Sequence, residues 1–154
     1  MTSRPRKMSG FTLIELVLIL FLVSLLALVV EIPTLSNQQA LQSAALKVRM
    51  DLRKTQQLAM TSGVNCGINF FQDGTYTVYQ GGVGVAAIDP LTGGPYQENL
   101  PVRFRNVSIQ SPYQVEFDPV GRPVIGGGGT LTLLNGGTTR PVQIIANTGA
   151  INLP

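Results

Sequence analysis

Residues 11–30 read FTLIELVLILFLVSLLALVV, an apolar run broken only by Thr12, Glu15 and Ser24. At 1.5 Å of rise per residue, a helix of about 20 residues covers roughly 30 Å, the thickness of a bilayer's hydrocarbon core. Arg4, Arg6 and Lys7 precede the run, and the next basic residue is Lys47. That bias sets the N-terminus in the cytoplasm and the remainder outside. A secretory signal peptide has the same order of charge and hydropathy, but its shorter apolar stretch ends at a small-x-small cleavage site. Leu28, Val29, Val30 and Glu31 offer no such site. A plain signal anchor would account for everything except Glu15, because an ionisable group costs about 2.5–3.5 kcal/mol near the centre of a membrane helix and less near its end. Such a carboxylate calls for a cation, and the nearest one conceivable is the free amine made by cutting the chain before Phe11.

Gly10-Phe11-Thr12-Leu13-Ile14-Glu15, behind a basic leader and ahead of the apolar run, resembles the prepilin peptidase signature of type IV pilins and type II secretion pseudopilins. The resemblance implies cleavage after Gly10, N-methylation of Phe11 as the mature N-terminus, and an assembly role for Glu15, paired with the N-terminal amine of a neighbouring subunit. It implies as partners prepilin peptidase, other pilins or pseudopilins engaged through the N-terminal helix, and an inner-membrane assembly platform. The implied location is a single pass of the inner membrane, with the C-terminal domain periplasmic until the subunit enters a pilus or pseudopilus.

Composition excludes several alternatives. There is no histidine and Cys66 is the one cysteine, so no internal disulfide, zinc cluster or histidine-dependent triad can form. No cofactor or metal is expected, and the scattered carboxylates do not suggest an enzyme. The net charge of +3 resides in Arg4, Arg6 and Lys7, so a chain beginning at Phe11 balances its eight acidic residues with eight basic ones. Phosphate affinity grows with clustered positive charge, which makes DNA binding the weaker reading. Cys66, beside Gly67, reads as a small buried hydrophobe.

Beyond the apolar run, Pro33 removes one helical hydrogen bond and is expected to kink the helix. Leu41, Ala45, Val48, Leu52, Thr55 and Ala59 then recur at helical spacing along one face, with Ser62-Gly63 as the stop. Arg49, Arg53 and Lys54, with Asp51 among them, read as a solvated face. The divisions are therefore a leader at 1–10, a membrane and assembly helix at 11–32, an amphipathic continuation at 33–62 and a β-rich domain at 63–154. Strands are expected at 64–71 and 75–80 around the Gln72-Asp73-Gly74 turn, then at 102–110, 113–117, 130–135, 140–146 and 150–153.

The stretch 81–101 is expected to be a surface loop. Gly126 to Gly129 lacks the Gly-Lys-Ser/Thr of a phosphate loop and reads as a flexible turn. Asp73, Asp89 and Asp118 stand beside glycine or proline as turn aspartates do. The fold class is α+β: a long N-terminal helix packed on an antiparallel β-sheet domain, the pilin fold that the resemblance implies.

Within that superfamily the order of elements is most similar to the H-type pseudopilins and FimT/FimU-like minor pilins. It runs from Leu52-Arg53 through Phe117-Asp118-Pro119-Val120-Gly121-Arg122-Pro123 and Gly129-Thr130-Leu131-Thr132-Leu133 to Thr148-Gly149-Ala150-Ile151. Some FimT-like proteins carry a basic Gly-Arg-x-Arg element for DNA uptake. Here Gly121-Arg122 is followed by Pro123, and Arg140 stands alone. A secretion pseudopilus, a type IV pilus and a DNA-uptake pilus, and a major or minor place within them, all stay open at this point.

Overall fold

The computed structural model describes residues 12–154, with side chains for 12–25 and 37–154. The chain divides into two compact units, up to Leu35 and from Ser36 onward. One helix, α1 (Leu13–Ser62), runs through both and continues on either side of Pro33. Gly63, with φ +71°, ends it, and the Gly63 N–H closes on the Ala59 carbonyl, as a left-handed C-terminal cap does.

All six residues of the expected stripe, from Leu41 to Ala59, are buried. Each large apolar side chain so buried contributes about 1.5–3 kcal/mol, which is what fixes this stretch of helix to its sheets. Ala44 and Asp51 are buried with them. The solvated-face reading therefore fails for Asp51, because Lys47 one turn earlier and two tyrosines from distant parts of the chain satisfy it in the interior.

The β-rich region makes two antiparallel sheets. In the first, β1 (Cys66–Phe70), β2 (Thr75–Gln80), β3 (Gln97–Asn99), β5 (Tyr113–Phe117) and β6 (Pro123–Ile125) lie in the order β3-β2-β1-β5-β6. In the second, β4 (Ser108–Ile109), β7 (Thr130–Asn135), β8 (Thr138–Ile144) and β9 (Ile151–Asn152) lie in the order β4-β7-β8-β9. Period-two burial sets the facing: Leu131 and Leu133 of β7 and Val142 and Ile144 of β8 point inward, as half-buried strands require. One core joins them to Ile68, Phe70, Val115 and Phe117 of the first sheet and to the α1 stripe. Cys66 is buried within it.

Ile144 bonds to Gly129 on the β7 side and Ile145 to Ala150 on the other. By alternation, Thr139 and Pro141 face the edge of β8 that β9 leaves uncovered. A proline there has no N–H to offer a foreign strand.

Two sequence expectations about these elements need correction. The expected strand at 102–110 begins instead as a short helix, α2 (Leu100–Arg103), because Asn99 caps the Val102 N–H and Pro101 occupies its first turn, a favoured start. Only Ser108–Ile109 remain strand. The 81–101 stretch is no bare loop: it doubles back through the Tyr79↔Ala86 and Ile88↔Pro95 bridges, buries Ala87 and Tyr96, and supplies β3.

The glycines at 126–129 form the expected turn, between β6 and β7, and it is closely packed. Gly126 has φ +71°, and a Cβ there would stand 2.2 Å from the Gln114 carbonyl oxygen. We expect Gly126→Ala to cost about 3 kcal/mol, from left-handed strain plus overpacking against backbone. Urea unfolding of the detergent-solubilised chain measures it.

Candidate functional site

The sequence-derived site lies at the start of α1. Gly10 and Phe11 fall outside the described residues. Thr12 stands at the helix entrance: its carbonyl accepts the Glu15 and Leu16 N–H groups, and its Oγ1 lies 3.4 Å from the Glu15 nitrogen. Thr12-x-x-Glu15 is thus the threonine half of a capping box, a second use for these residues that the spacing alone could have shown. Glu15 is exposed in the first turn.

The large apolar side chains from Leu13 to Leu25 expose between 45% and 83% of their area. Ser24, the other polar residue in this stretch, returns its hydroxyl to the Leu20 carbonyl at 2.8 Å, so the helix presents almost no unpaired polar group. Among the described residues no helix is long and apolar enough to cross a membrane. The run 11–30 extends at both ends beyond the residues whose side chains are described. A continuous apolar surface of this kind needs a covering phase, whether lipid or other helices.

The second cluster is one that the sequence did not show. Asp51 Oδ2 accepts from Lys47 Nζ at 2.5 Å and from the Tyr76 hydroxyl, and Oδ1 accepts from the Tyr96 hydroxyl at 2.8 Å. Lys47 also meets Glu98 at 3.1 Å, and Glu98 meets Arg103 at 2.9 Å. Burial first, and the Asp51 carboxylate second, push both phenols above their ordinary range. They therefore stay protonated and act as donors. The network ties α1 to β2, β3 and the 81–96 excursion. Its atoms are engaged with one another, which suits it to holding elements in place.

The remaining candidates divide in the same way. Asp73 accepts from Thr75, Asp89 from Leu91 and Thr92, and Asp118 from Val120 and Arg122. These are turn aspartates as expected, and local hydrogen bonds hold all three carboxyls below the usual range. Among the described residues, no group of three or more carboxylates, cysteines or histidines comes together to hold a metal.

Arg122 is paired with Asp118 at 2.9 Å, while Arg140 lines a separate groove with Gln38, Gln42 and Thr138. The two arginines do not form one basic patch. Lys54 lies 4.5 Å over the Tyr96 ring; it and Arg53 are exposed, while Arg49 is half-buried.

No protein-family profile matches this sequence, and no curated protein matches it in sequence. Among solved structures the chain is similar to the type IV minor pilin FimU of Pseudomonas aeruginosa in two crystal forms. The first gives a TM-score of 0.56 at 18% identity over 78% of this chain and 92% of that one. The second gives 0.53 at 18% identity over 74% and 92%. At that identity the likeness is one of fold: the chain has an α+β pilin fold, a long helix packed on antiparallel sheets, shared with a type IV minor pilin.

Proposed function

We propose that the chain is the precursor of a minor pilin or pseudopilin, cut by prepilin peptidase between Gly10 and Phe11, methylated on Phe11 and assembled through its N-terminal helix. The observation that carries the reading is the conjunction of a pilin fold with an exposed apolar helix whose single carboxylate, Glu15, stands in the first turn. A buried or lipid-facing carboxylate needs a counter-charge, and processing would supply one as the new amine. In this reading the membrane holds the subunit through residues 11–32 until neighbouring helices replace lipid around them, and Pro33 lets the helix adjust between bilayer and filament. The assembly platform and other pilins are the partners. No substrate is transformed.

Whether the assembly is a type IV pilus or a secretion pseudopilus is a choice among partners. The match to a type IV minor pilin favours the pilus. A DNA-uptake role gains no support, since Arg122 is committed to Asp118.

Processing is the direct test. Intact-mass measurement of protein from the membrane fraction should find a chain beginning at methylated Phe11. Gly10→Val should retain its leader, because a side chain there obstructs approach of the peptidase. A wild-type chain that keeps residues 1–10 in cells with an active prepilin peptidase overturns the proposal.

A further inference from the structure

The helix α2 ends in a backbone conformation that its sequence does not favour. The Phe104 N–H reaches the Leu100 carbonyl at 2.8 Å, and the Asn106 N–H reaches back to the Pro101 carbonyl at 3.0 Å. This long closing bond is that of a Schellman turn, which requires a left-handed residue, usually glycine. Here the left-handed positions are Arg105, with φ 48°, and Asn106, with φ 63°. Asparagine tolerates that region, whereas arginine brings its Cβ against its own carbonyl.

Asn135 fixes the turn by donating to the Arg105 carbonyl at 3.0 Å. The chain places glycine at many of its other left-handed positions, so an arginine here trades stability for what its side chain does.

That side chain is exposed and has no ion pair among the described residues. Arg103 stands beside it, holding Glu98 through Nη1 with 55% of its side chain exposed. With Gln39, Ser43 and Phe104 the two arginines line an open groove of about 480 Å³. Val102, 82% exposed, immediately precedes Arg103 on the short helix. An exposed apolar residue next to an arginine-lined groove fits a lipid interface, where the apolar side chain meets the acyl boundary and the guanidinium meets phosphate.

We propose that this groove binds the phosphate of an anionic phospholipid headgroup, with Arg105 as its principal ligand. The inference rests on the membrane reading of residues 11–32. Between Val30 and Gln39 the contour is at most about 13 Å of helix, whatever the angle at Pro33. The headgroup layer covers about 5–7 Å of that distance, and a snorkelling arginine spans the remainder.

The test uses the full chain in phosphatidylcholine nanodiscs with increasing fractions of phosphatidylglycerol. The protein has no tryptophan, so Phe104→Trp gives a single emitter at the groove, and hydrogen exchange over residues 100–107 gives the same readout without a substitution. Both should respond to phosphatidylglycerol, and Arg105→Gly should raise the half-saturating fraction about five-fold, the loss expected of one arginine at an anionic surface. Arg105→Gly should melt no lower than wild type, which separates lost binding from lost folding.

Equal responses in wild type and Arg105→Gly overturn the proposal. So does the same response to inorganic phosphate in pure phosphatidylcholine discs, which would make free phosphate the ligand. A chain that stays in the discs and ignores phosphatidylglycerol sinks the groove assignment alone. One that leaves the discs sinks the membrane reading and the groove assignment together.

Discussion

Asp51→Ala should lower the stability of the Ser36–Pro154 unit by about 3 kcal/mol, more than single changes on the exposed side of α1. The carboxylate is 4% exposed and receives three donors. Its removal leaves the buried Tyr76 hydroxyl without its partner and deprives Tyr96 of its acceptor. Lys47 keeps Glu98 at 3.1 Å, so the ammonium is not orphaned and the cost stays near the low end for breaking a buried pair.

Asp51→Asn should fall between Asp51→Ala and wild type, at about 1–2 kcal/mol, since the amide oxygen still accepts but the charge is gone. The urea midpoint measures each variant. Tyr76→Phe in both backgrounds closes a cycle that should give a coupling of about 1–2 kcal/mol. A midpoint for Asp51→Ala within about 0.5 kcal/mol of wild type would show that the network contributes nothing net, as a desolvated ion pair can.

The contrast between that cluster and the helix stripe shows what a sequence makes legible. Leu41, Ala45, Val48, Leu52, Thr55 and Ala59 could be read because one local period sets their burial. Asp51 could not, because its two tyrosine donors lie 25 and 45 residues away and its neighbours Arg49, Arg53 and Lys54 make it look solvated. A weak signal was present: Asp51 follows Val48 by three residues and precedes Thr55 by four, so it stands on the edge of the buried stripe.

The same distinction governs the strands. Thr75–Gln80, Tyr113–Phe117 and Thr130–Asn135 follow alternation and flanking turns, and their bounds agree with the structure. Asn99 and Pro101 carried the signature of a helix start that the apolar run after them concealed. The strand at Gln97–Asn99 has no apolar alternation and exists through its pairing with β2. Which strands share a sheet depends on non-local pairing, and two sheets emerged where one was expected.

At the other end of α1, Glu15→Leu should insert in the membrane and be processed normally, yet enter filaments at least about ten-fold less well than wild type. Leucine removes a group that costs about 2.5–3.5 kcal/mol near the centre of a bilayer helix, so insertion improves, and the Gly10-Phe11 bond is untouched. Assembly loses the counter-charge for the neighbour's amine, and recovering even half of that cost on pairing corresponds to about a factor of ten.

Capping offers a competing account, because Glu15 stands three residues after Thr12, whose hydroxyl faces its N–H. A lost capping contact and a lost favourable charge at a helix start are together worth roughly 1 kcal/mol or less, and both act within one chain. Glu15→Gln separates the accounts: the amide can still reach back to the Thr12 N–H as in a capping box, but it cannot pair with an ammonium. If pairing between subunits is the function, Gln should fail nearly as badly as Leu. If capping is the function, Gln should assemble like wild type. Sheared filaments and inner-membrane fractions, compared at equal expression, give the ratio for each variant. Efficient assembly of Glu15→Gln would remove the inter-subunit ion pair and leave helix packing and the cap to explain recruitment.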